Sequence, residues 1–406
     1  MTRRILHILS QRPSHTGSGV TLDAIVRQAA AAGYEQHVIV GVPHDDPVPA
    51  VGNLPRECIH PLVFGTPPLD FALPGMSDVM PYPSSRFSAL TDEQVNAYRR
   101  AWRAHVQAVV EQVQPELIHS HHLWMVSGML RDVVPRTPIV THCHGTGLRQ
   151  LAQCPQFAGK VLSGCRRNDH FFALHRQQAE ELARLLDNDH EHVSVIGAGY
   201  REGIFHAQEI LREESPTLAY AGKLSLAKGV PQLLDAVEIL REDMSDLHLR
   251  IAGAGTGEEA DRIIERIEQL SANVTWHGQL SPEQLAELFR RCRVMVLPSF
   301  YEGLPLVLVE AIACGCRAVA TDLPGIRQIA DAIPGVVELV PLPKMQTIDQ
   351  PVVGELPAFV SELCQALRRA VSQESLRLDA TLTEPFTWGE VFSRIEHIWR
   401  KLLAAE

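Results

Sequence analysis

The sequence predicts an α/β protein built from two doubly wound parallel sheets. Short apolar strands alternate with segments of helical spacing, an order that gives parallel sheets covered by helices. This alternation runs from Arg4–Leu9 to Val193–Ile196 and restarts at Thr217–Ala221. The chain has 406 residues, more than the roughly 250–300 at which a single hydrophobic core stops growing. We therefore expect two domains facing a deep cleft, with ligands bound outside the carboxyl ends of the strands.

The first half opens with a strand, a loop, a helix and a second strand. Arg4–Leu9 predicts the first strand, Val20–Ala32 has helical spacing, and His37–Val42 predicts the second strand. The loop before the helix is rich in Gly, Ser and Thr and runs to Gly19, and Gly33 is placed to end the helix.

Residues 43–92 interrupt this pattern. They are rich in Pro and Gly and carry little periodicity, so we expect a long irregular insertion. Periodicity then returns with a predicted helix and four predicted strands, at Asp92–Gln114, Leu117–Ser120, Pro138–His142, His170–Leu174 and Val193–Ile196.

The second half repeats the alternation. Strands are predicted at Thr217–Ala221, Leu247–Ile251, Val274–Trp276, Val294–Leu297 and Ala318–Thr321. Helices are predicted from about Val230 and at Pro282–Arg291, Leu306–Ala313 and Trp388–Leu403. The segment Val340–Pro357 contains four prolines and predicts a loop.

Composition and charge exclude several classes of protein. The net charge is −11, and residues 1–200 are nearly neutral with 17 basic and 18 acidic side chains, so nucleic acid is not an expected partner. No apolar run is long enough to cross a membrane, and the amino terminus is a poor signal peptide, so we expect a cytoplasmic protein. A basic patch around Trp102 leaves peripheral membrane contact open, although a solvated helix face is the more ordinary interpretation. The eight cysteines lack a C-x-x-C pair and are expected to be reduced.

The most informative motif follows the strand Val294–Leu297. Glu302 lies in the loop and Glu310 eight residues on, inside the helix that Pro305 helps to begin. The free N–H groups of Leu306 and Val307 at this helix start form an anion site. The alternative is an ordinary capped helix with two solvated acidic side chains.

A second motif, Gly222–Gly229, follows the strand Thr217–Ala221. It holds Lys223 and Lys228 in a glycine-bounded loop that suits a diphosphate, although it does not match the P-loop pattern. A pair of ordinary surface lysines explains the same spacing.

Together these motifs resemble the retaining glycosyltransferases of family four, which have the GT-B fold with two Rossmann-like domains. The family's E-x7-E motif matches Glu302 to Glu310, and its G-R-L-x-x-x-K-G loop matches Gly222 to Gly229 with Lys223 in place of arginine. The remaining matches are the strand–G-x-G run through Gly253 and Gly255, the V-x-x-x-G run from Val274 to Gly278, and Phe386–Trp388 at the start of the last helix.

The resemblance implies an acceptor-side domain at 1–203, a nucleotide-sugar-binding domain at 204–384, and a helix at 385–406 that crosses back to the first domain. It implies a hexosyltransferase of carbohydrate biosynthesis that retains the anomeric configuration. The donor would be a nucleotide diphosphate sugar, with UDP favoured and GDP or ADP left open, and the acceptor a hydroxyl of a small metabolite or glycan. No cofactor and no metal are implied, and the oligomeric state stays open.

The resemblance also assigns roles to single residues. Glu302 and His144 would act at the reacting carbon, and Glu310 would hold the donor ribose. The donor diphosphate would be bound by Lys223, Lys228, Gly17, Gly19, Leu306 and Val307. The donor base would be bound around Gly253, Gly255, His277 and Leu280.

Three residues are weaker candidates for acceptor binding, namely His121, His122 and Arg201. Fifteen of the 19 histidines lie in residues 1–200, and several stand at strand ends. A metal site made from His119, His121, His142 and His144 is conceivable, because strand residues two apart share a face. We favour instead a wall of the binding cleft, or plain packing, and we expect no metal ligands.

Three other classes of protein compete with a sugar transferase. A sugar-nucleotide epimerase or a phosphorylase could share the fold, and a non-catalytic protein could bind the sugar nucleotide only. A dinucleotide-dependent oxidoreductase is disfavoured because Gly253–Gly257 reads G-x-G-x-G rather than G-x-G-x-x-G.

Overall fold

The computed structural model describes residues 3–13, 16–77, 80, 82–187, 190–208, 215–374, 376 and 379–404. It divides into two compact units, one of Met1–Ala198 with Trp388–Glu406 and one of Gly199–Thr387. Each unit carries its own parallel sheet, so the predicted α/β class with two doubly wound domains is confirmed.

The first unit is built on a seven-stranded parallel sheet in the order β3-β2-β1-β4-β5-β6-β7. Its strands are β1 (Arg4–Leu9), β2 (Glu35–Pro43), β3 (Ile59–Phe64), β4 (Leu117–His121), β5 (Ile139–His142), β6 (His170–Ala173) and β7 (Val193–Val195). Strands β4, β5 and β6 are buried throughout and β1 nearly so, as expected for a sheet covered on both faces.

The prediction that residues 43–92 form an irregular insertion is wrong for β3. This strand pairs with β2 from Val38 and Ile59 to Pro43 and Phe64 and forms one edge of the sheet. Only its last residue is fully buried, and it contains Pro61, which cannot donate to a ladder and is tolerated at a sheet edge. The strand therefore lacks the continuous apolar run that identifies its neighbours.

Among the described residues of the range 1–198, six α-helices accompany this sheet. They are α1 (Gly17–Ala31), α2 (Asp92–Val113), α3 (Leu130–Val133), α4 (Gly145–Gln153), α5 (Pro155–Cys165) and α6 (Arg176–Leu186). Helix α1 begins at Gly17 and not at Val20 as predicted, because the Thr16 side chain caps it by accepting from the Gly19 amide at 3.1 Å.

The last helix, α13 (Trp388–Ala404), belongs to the first unit. Its Arg394 donates to the carbonyl oxygen of Ile196 at 3.0 Å, and Tyr34 donates to Glu396 at 3.1 Å. Trp399 is fully buried. The chain therefore returns to its first unit after completing the second.

The second unit is built on a six-stranded parallel sheet in the order β10-β9-β8-β11-β12-β13. Its strands are β8 (Thr217–Ala221), β9 (His248–Ala252), β10 (Val274–Trp276), β11 (Val294–Leu297), β12 (Arg317–Thr321) and β13 (Val337–Val340). Its helices are α7 (Val230–Leu240), α8 (Glu258–Gln269), α9 (Pro282–Arg291), α10 (Leu306–Ala313), α11 (Pro324–Ala332) and α12 (Leu356–Ser372).

Both sheets reverse their strand order at one point, between β1 and β4 in the first unit and between β8 and β11 in the second. The loops that leave the two central strands then turn to opposite sides and open a crevice at their carboxyl ends, which is where such sheets bind ligands. Among the described residues, no helix combines the length and the apolar character needed to cross a bilayer.

Candidate functional site

Two loops of the second unit meet at the carboxyl ends of β8 and β11. One is the glycine-bounded lysine loop, residues 222–229, and the other is the acidic loop, residues 298–305. The Phe300 amide donates to the Ala227 carbonyl oxygen at 2.9 Å and joins them. At Gly229, where φ is +65°, a Cβ would collide with the Pro298 carbonyl group. Ala227 and Glu302 are 75 residues apart in the sequence, but the loops that contain them pack directly against each other.

An ion pair connects the two loops. The Lys228 Nζ lies 2.6 Å from Glu302 Oε1, and Ser299 Oγ donates to the same oxygen at 2.8 Å. The Lys228 and Glu302 side chains are 25% and 14% exposed, so both charges are partly shielded from water and still accessible. Sequence reasoning did not single out Ser299, although its position three residues before Glu302 is visible in the sequence.

The other lysine of the loop lies differently. The Lys223 side chain is exposed, and its carbonyl oxygen accepts from the buried Tyr220 hydroxyl at 2.7 Å. Burial holds the pKa of Tyr220 well above its ordinary value, and the charge of Glu302 acts in the same direction. Tyr220 is therefore neutral, and its hydroxyl group fixes the backbone at Lys223 through this hydrogen bond.

The acidic loop leads into α10, whose first residues are Leu306 and Val307. Pro305 occupies the N-cap position rather than the first turn that the sequence suggested, and no side chain among the described residues caps this helix end. The first amides of a helix have no intrahelical acceptor, and they carry the positive end of the helix dipole. Leu306 and Val307 are only half-buried, so this end can receive an anion.

Glu310 lies in the second turn of α10. Burial raises the pKa of its carboxyl group to about 7, and the positive charge of Arg201 partly offsets that rise. Arg201 is therefore close enough to Glu310 to interact with its charge. Arg201 belongs to the second unit, whereas His121 and His122 belong to the first unit. The three weak acceptor candidates are therefore divided between the units.

The glycine-rich run after β9 is held against the lysine loop. The Gly222 amide donates to Ala252 at 3.0 Å, and the Leu224 amide donates to Ala254 at 3.1 Å. Gly253 has a φ of +132°, and a Cβ there would collide with the Gly222 carbonyl group. This position therefore requires glycine, and the predicted base-binding run is contiguous with the lysine loop.

The remaining base-binding candidates follow β10. The Gly253 amide donates to the Gly278 carbonyl oxygen at 2.7 Å, and the Trp276 indole donates to the Gly253 carbonyl oxygen at 2.9 Å. His277 is exposed and Leu280 is half-buried. Trp276 is 37% exposed, and sequence reasoning did not include it among the site residues.

In the first unit, Gly17 and Gly19 lie in the first turn of α1 rather than in the preceding loop. The Gly19 amide is already bonded to Thr16, whereas Gly17 is exposed with open space around it. Of these two predicted diphosphate-binding residues, only Gly17 presents its backbone outward.

The three site histidines of the first unit come together. His144 is the N-cap residue of α4 and its Nε2 lies 3.1 Å from His121 Nδ1. The His122 ring lies 4.8 Å from the His144 ring, and its Nδ1 is 3.1 Å from the Thr146 hydroxyl. The backbone of His122 has a φ of +71°, an uncommon conformation for this residue type that turns the chain sharply after β4.

Burial keeps these imidazoles neutral. It lowers the pKa of His144 to about 3 and holds the pKa of His121 and His122 well below their ordinary values. His144 is 8% exposed. At neutral pH it therefore offers a polar but uncharged group.

Two family models match the chain in sequence. "Glycosyl transferases group 1" matches residues 202–337, and "Glycosyl transferase 4-like domain" matches residues 16–199. Among curated proteins, the chain is similar to D-inositol 3-phosphate glycosyltransferase of Xylanimonas cellulosilytica, with 28% identity over 55% of this chain and 59% of the relative. The chain spans between 50% and 59% of the length of the first curated relatives that it matches.

Solved structures share the fold along the whole chain. Sucrose-phosphate synthase from Thermosynechococcus elongatus superposes with a TM-score of 0.68 and 20% identity, covering 100% of both chains. Anabaena HepE in complex with UDP and glucose superposes with a TM-score of 0.65 and 14% identity, covering 98% of this chain and 100% of the other.

The two family models cover successive units, and the strand orders, the joined lysine and acidic loops and the solved neighbours all agree with them. The chain therefore belongs to the group 1 glycosyltransferases of family four, and its fold is GT-B.

Proposed function

We propose that this protein is a retaining glycosyltransferase that moves a hexosyl group from a nucleotide diphosphate sugar to an acceptor hydroxyl. The observation that carries the proposal is the convergence of the lysine loop, the acidic loop and the start of α10 at the carboxyl ends of β8 and β11. This arrangement offers positive charge, backbone donors and carboxylates on one short stretch of surface.

The first task of the site is to bind the donor diphosphate. Lys223 and Lys228 supply two cations, and the amides of Leu306 and Val307 supply donors at a positive helix end. Since the leaving group gains negative charge as the glycosidic bond breaks, these groups stabilise the transition state more than the ground state. We propose that the diphosphate needs no metal ion for this reason.

The two glutamates serve different parts of the donor. Glu310 accepts hydrogen bonds from the ribose hydroxyls, and Glu302 accepts them from hydroxyls of the donor sugar near the reacting carbon. Lys228 and Ser299 hold Glu302 in place, because both already bond to its Oε1. The base lies along Gly253, Gly255, His277 and Leu280, where backbone groups do most of the recognition.

The first unit supplies the acceptor side. We assign His144, as a neutral imidazole, to the reacting carbon. His121 and His122, which contact His144 within the first unit, orient it or bind the acceptor. Gly17 contributes its amide at the start of α1. Arg201, which belongs to the second unit, would contact an anionic group of the acceptor.

The reaction balances without a protein nucleophile. The acceptor oxygen bonds to the anomeric carbon on the face that the diphosphate leaves, and the bond from that carbon to the diphosphate oxygen breaks. The acceptor proton passes to the departing diphosphate, and the configuration is retained.

Two further parts of the proposal concern the donor base and the location in the cell. A UDP-sugar is favoured, in keeping with the UDP bound to the similar Anabaena HepE, and GDP- and ADP-sugars are the alternatives to test. The domain bounds 1–203, 204–384 and 385–406 and a cytoplasmic location remain our predictions.

The test is product analysis with matched variants. We expect transfer, with retention seen by the anomeric proton signals of the product, and we expect E302Q to lose transfer while keeping its fold. E265Q removes an exposed carboxylate on α8 and serves as the control. Unchanged turnover in E302Q would remove Glu302 from the reaction, and an epimerised donor or a sugar 1-phosphate product would replace transfer by epimerase or phosphorylase activity.

A further inference from the structure

Five histidines stack side by side in the first unit, where β1, β4 and β5 are neighbours. His7 is in register with His119, and His121 is in register with His142. Since residues two apart on a strand share a face, these four side chains project from the same side of the sheet. His144 continues the stack, with its ring 4.3 Å from the ring of His142.

This stack is sealed from solvent. The four strand histidines are no more than 2% exposed, and Trp399 of α13 packs on His7 and His119 with ring centroids 5.8 and 5.6 Å away. The cluster therefore lies inside the fold of the first unit, beneath the last helix.

The cluster leaves many ring nitrogens without a hydrogen-bond partner among the described residues. Both nitrogens of His119 and of His142 are in this state, as are His7 Nδ1 and His121 Nε2. Each buried polar atom left in this way is destabilising, because it has given up its hydrogen bonds to water without replacing them. Ordinary core histidines are satisfied, so such a concentration calls for an ion or ordered water.

The hydrogen bonds around His7 fix its tautomer. The Gln36 side-chain amide donates to the Val26 carbonyl oxygen at 2.9 Å, so the Gln36 carbonyl oxygen must accept, and the group that donates to it at 3.0 Å is His7 Nε2. With its proton on Nε2, the neutral ring carries a lone pair on Nδ1, which has no hydrogen-bond partner among the described residues. A metal-bound histidine needs this arrangement, with one N–H donated to a carbonyl oxygen and the other nitrogen bare.

Three of the histidines come close enough to share an ion. One ring nitrogen each of His7, His119 and His121 lies within 4.8 Å of the others. Ligand nitrogens around tetrahedral zinc stand about 3.3 Å apart, given Zn–N bonds of about 2.0–2.1 Å. The His119 and His121 rings are parallel, so one of them must turn about its Cβ–Cγ bond. His119 makes no hydrogen bond to a described residue that such a turn would break, and this torsion is soft.

We propose that His7, His119 and His121 bind a first-row transition ion, with Zn²⁺ as the leading candidate, inside the first unit. An all-imidazole ligand set suits Zn²⁺, Ni²⁺ or Cu²⁺, and it does not suit Mg²⁺ or Ca²⁺, which take oxygen ligands. This site is separate from donor binding, and we assign the ion no contact with the reacting atoms.

The ion would also order the neighbouring site histidine. With a metal on His121 Nε2, His121 Nδ1 must carry the proton and donate to His144 Nε2, with which it already lies at 3.1 Å. His144 is then held as the tautomer with its proton on Nδ1. The second geometric triad, His121, His142 and His144, uses the same His121 and is the rival that the test must separate.

The test is the metal content of the purified 406-residue chain after dialysis against a weak chelator. We expect about one zinc per chain. The variant H119F replaces a ligand by a ring of similar shape and should lose the metal, whereas H142F, equally buried and also without hydrogen bonds to the described residues, should keep it. Loss in H142F with retention in H119F would overturn the assignment in favour of the rival triad, and a wild-type protein without metal would overturn the site altogether.

Two further measurements do not depend on those variants folding. X-ray absorption at the zinc edge of wild-type protein should show nitrogen neighbours with imidazole scattering, and sulfur neighbours would refute the ligand set. The variant Q36L, which removes the acceptor of His7 Nε2, should weaken zinc binding roughly 10- to 100-fold. Unchanged zinc affinity in Q36L would refute the role of His7.

Discussion

Replacing Glu310 by glutamine is expected to stabilise the second unit while weakening donor binding. The carboxyl group is shielded from water by burial, which raises its pKa from 4.5 to about 7. Glutamine has nearly the same shape and carries no charge. The change therefore removes an unfavourable buried charge and, with it, the acceptor that we assign to the donor ribose.

The size of the effect follows from the pKa. A carboxyl group whose pKa is raised by folding binds more protons in the folded than in the unfolded state, so its contribution to stability falls as pH rises from 4.5 to 7. The rise in the pKa of Glu310 from 4.5 to about 7 corresponds to about 3 kcal/mol. Because the Glu310 side chain is not fully buried, this is an upper limit.

The assay is the melting temperature of wild type and E310Q between pH 4.5 and 8, without donor. We expect equal stability near pH 4.5 and a gap that widens toward pH 8. Each kcal/mol corresponds to about 2–4 °C for a unit of this size. The exposed-site variant E265Q should show no such gap, and donor binding to E310Q should weaken roughly 10- to 100-fold because charged hydrogen bonds are lost.

A pH-independent difference, or a less stable E310Q at pH 8, would refute the burial argument. Unchanged donor affinity in E310Q would refute the assignment of the ribose to Glu310.

Three further predictions address the loops and one helix cap. K228M should lower kcat roughly 100-fold or more, because it removes a cation from the departing diphosphate and leaves Glu302 without its ion-pair partner. Steady-state kinetics would measure this loss, and a change in KM alone would argue against it. G253A should lose roughly 1–3 kcal/mol of stability, measured by urea unfolding, since its Cβ would meet the Gly222 carbonyl group at a positive φ, and a fully stable variant would contradict the close approach. H175N keeps a side chain that can cap α6 but does not titrate. Because burial lowers the pKa of His175 to about 4, the free energy of unfolding of the wild type should fall by up to about 3 kcal/mol as pH drops from 6.5 toward 4, and that of H175N should fall less. Parallel profiles of unfolding free energy against pH would contradict this.

Sequence reasoning predicted the parts of the site that depend on short stretches of chain. The lysine loop and the acidic loop each follow an apolar strand that is visible as a run, and their place at the carboxyl end of the sheet follows from parallel topology. The contact of Lys228 with Glu302 is a tertiary fact, and only the strand order β8-β11 brings the two together.

The failures have physical causes. Strand β3 contains a proline and is only half-buried, so it lacks a strand signature and depends on its neighbour β2 for its existence. The predicted start of α1 was too late in the chain, because the Thr16 side chain caps the helix and Gly17 and Gly19 become helical. The low helix propensity of glycine argues against helix at these two positions. The histidine stack needed strand register, which pairs His7 with His119 across 112 residues of chain.

We propose that the second unit binds a nucleotide diphosphate sugar, and the transfer reaction depends on this binding. The most direct measurement is a thermal-shift panel of UDP-, GDP- and ADP-sugars, with NAD as the control, on wild type and E310A. We predict that one nucleotide class raises the melting temperature of the wild type and that E310A loses this shift. No shift with any sugar nucleotide, or an equal shift with NAD, would contradict the account and separate the fold of this family from its activity in this chain.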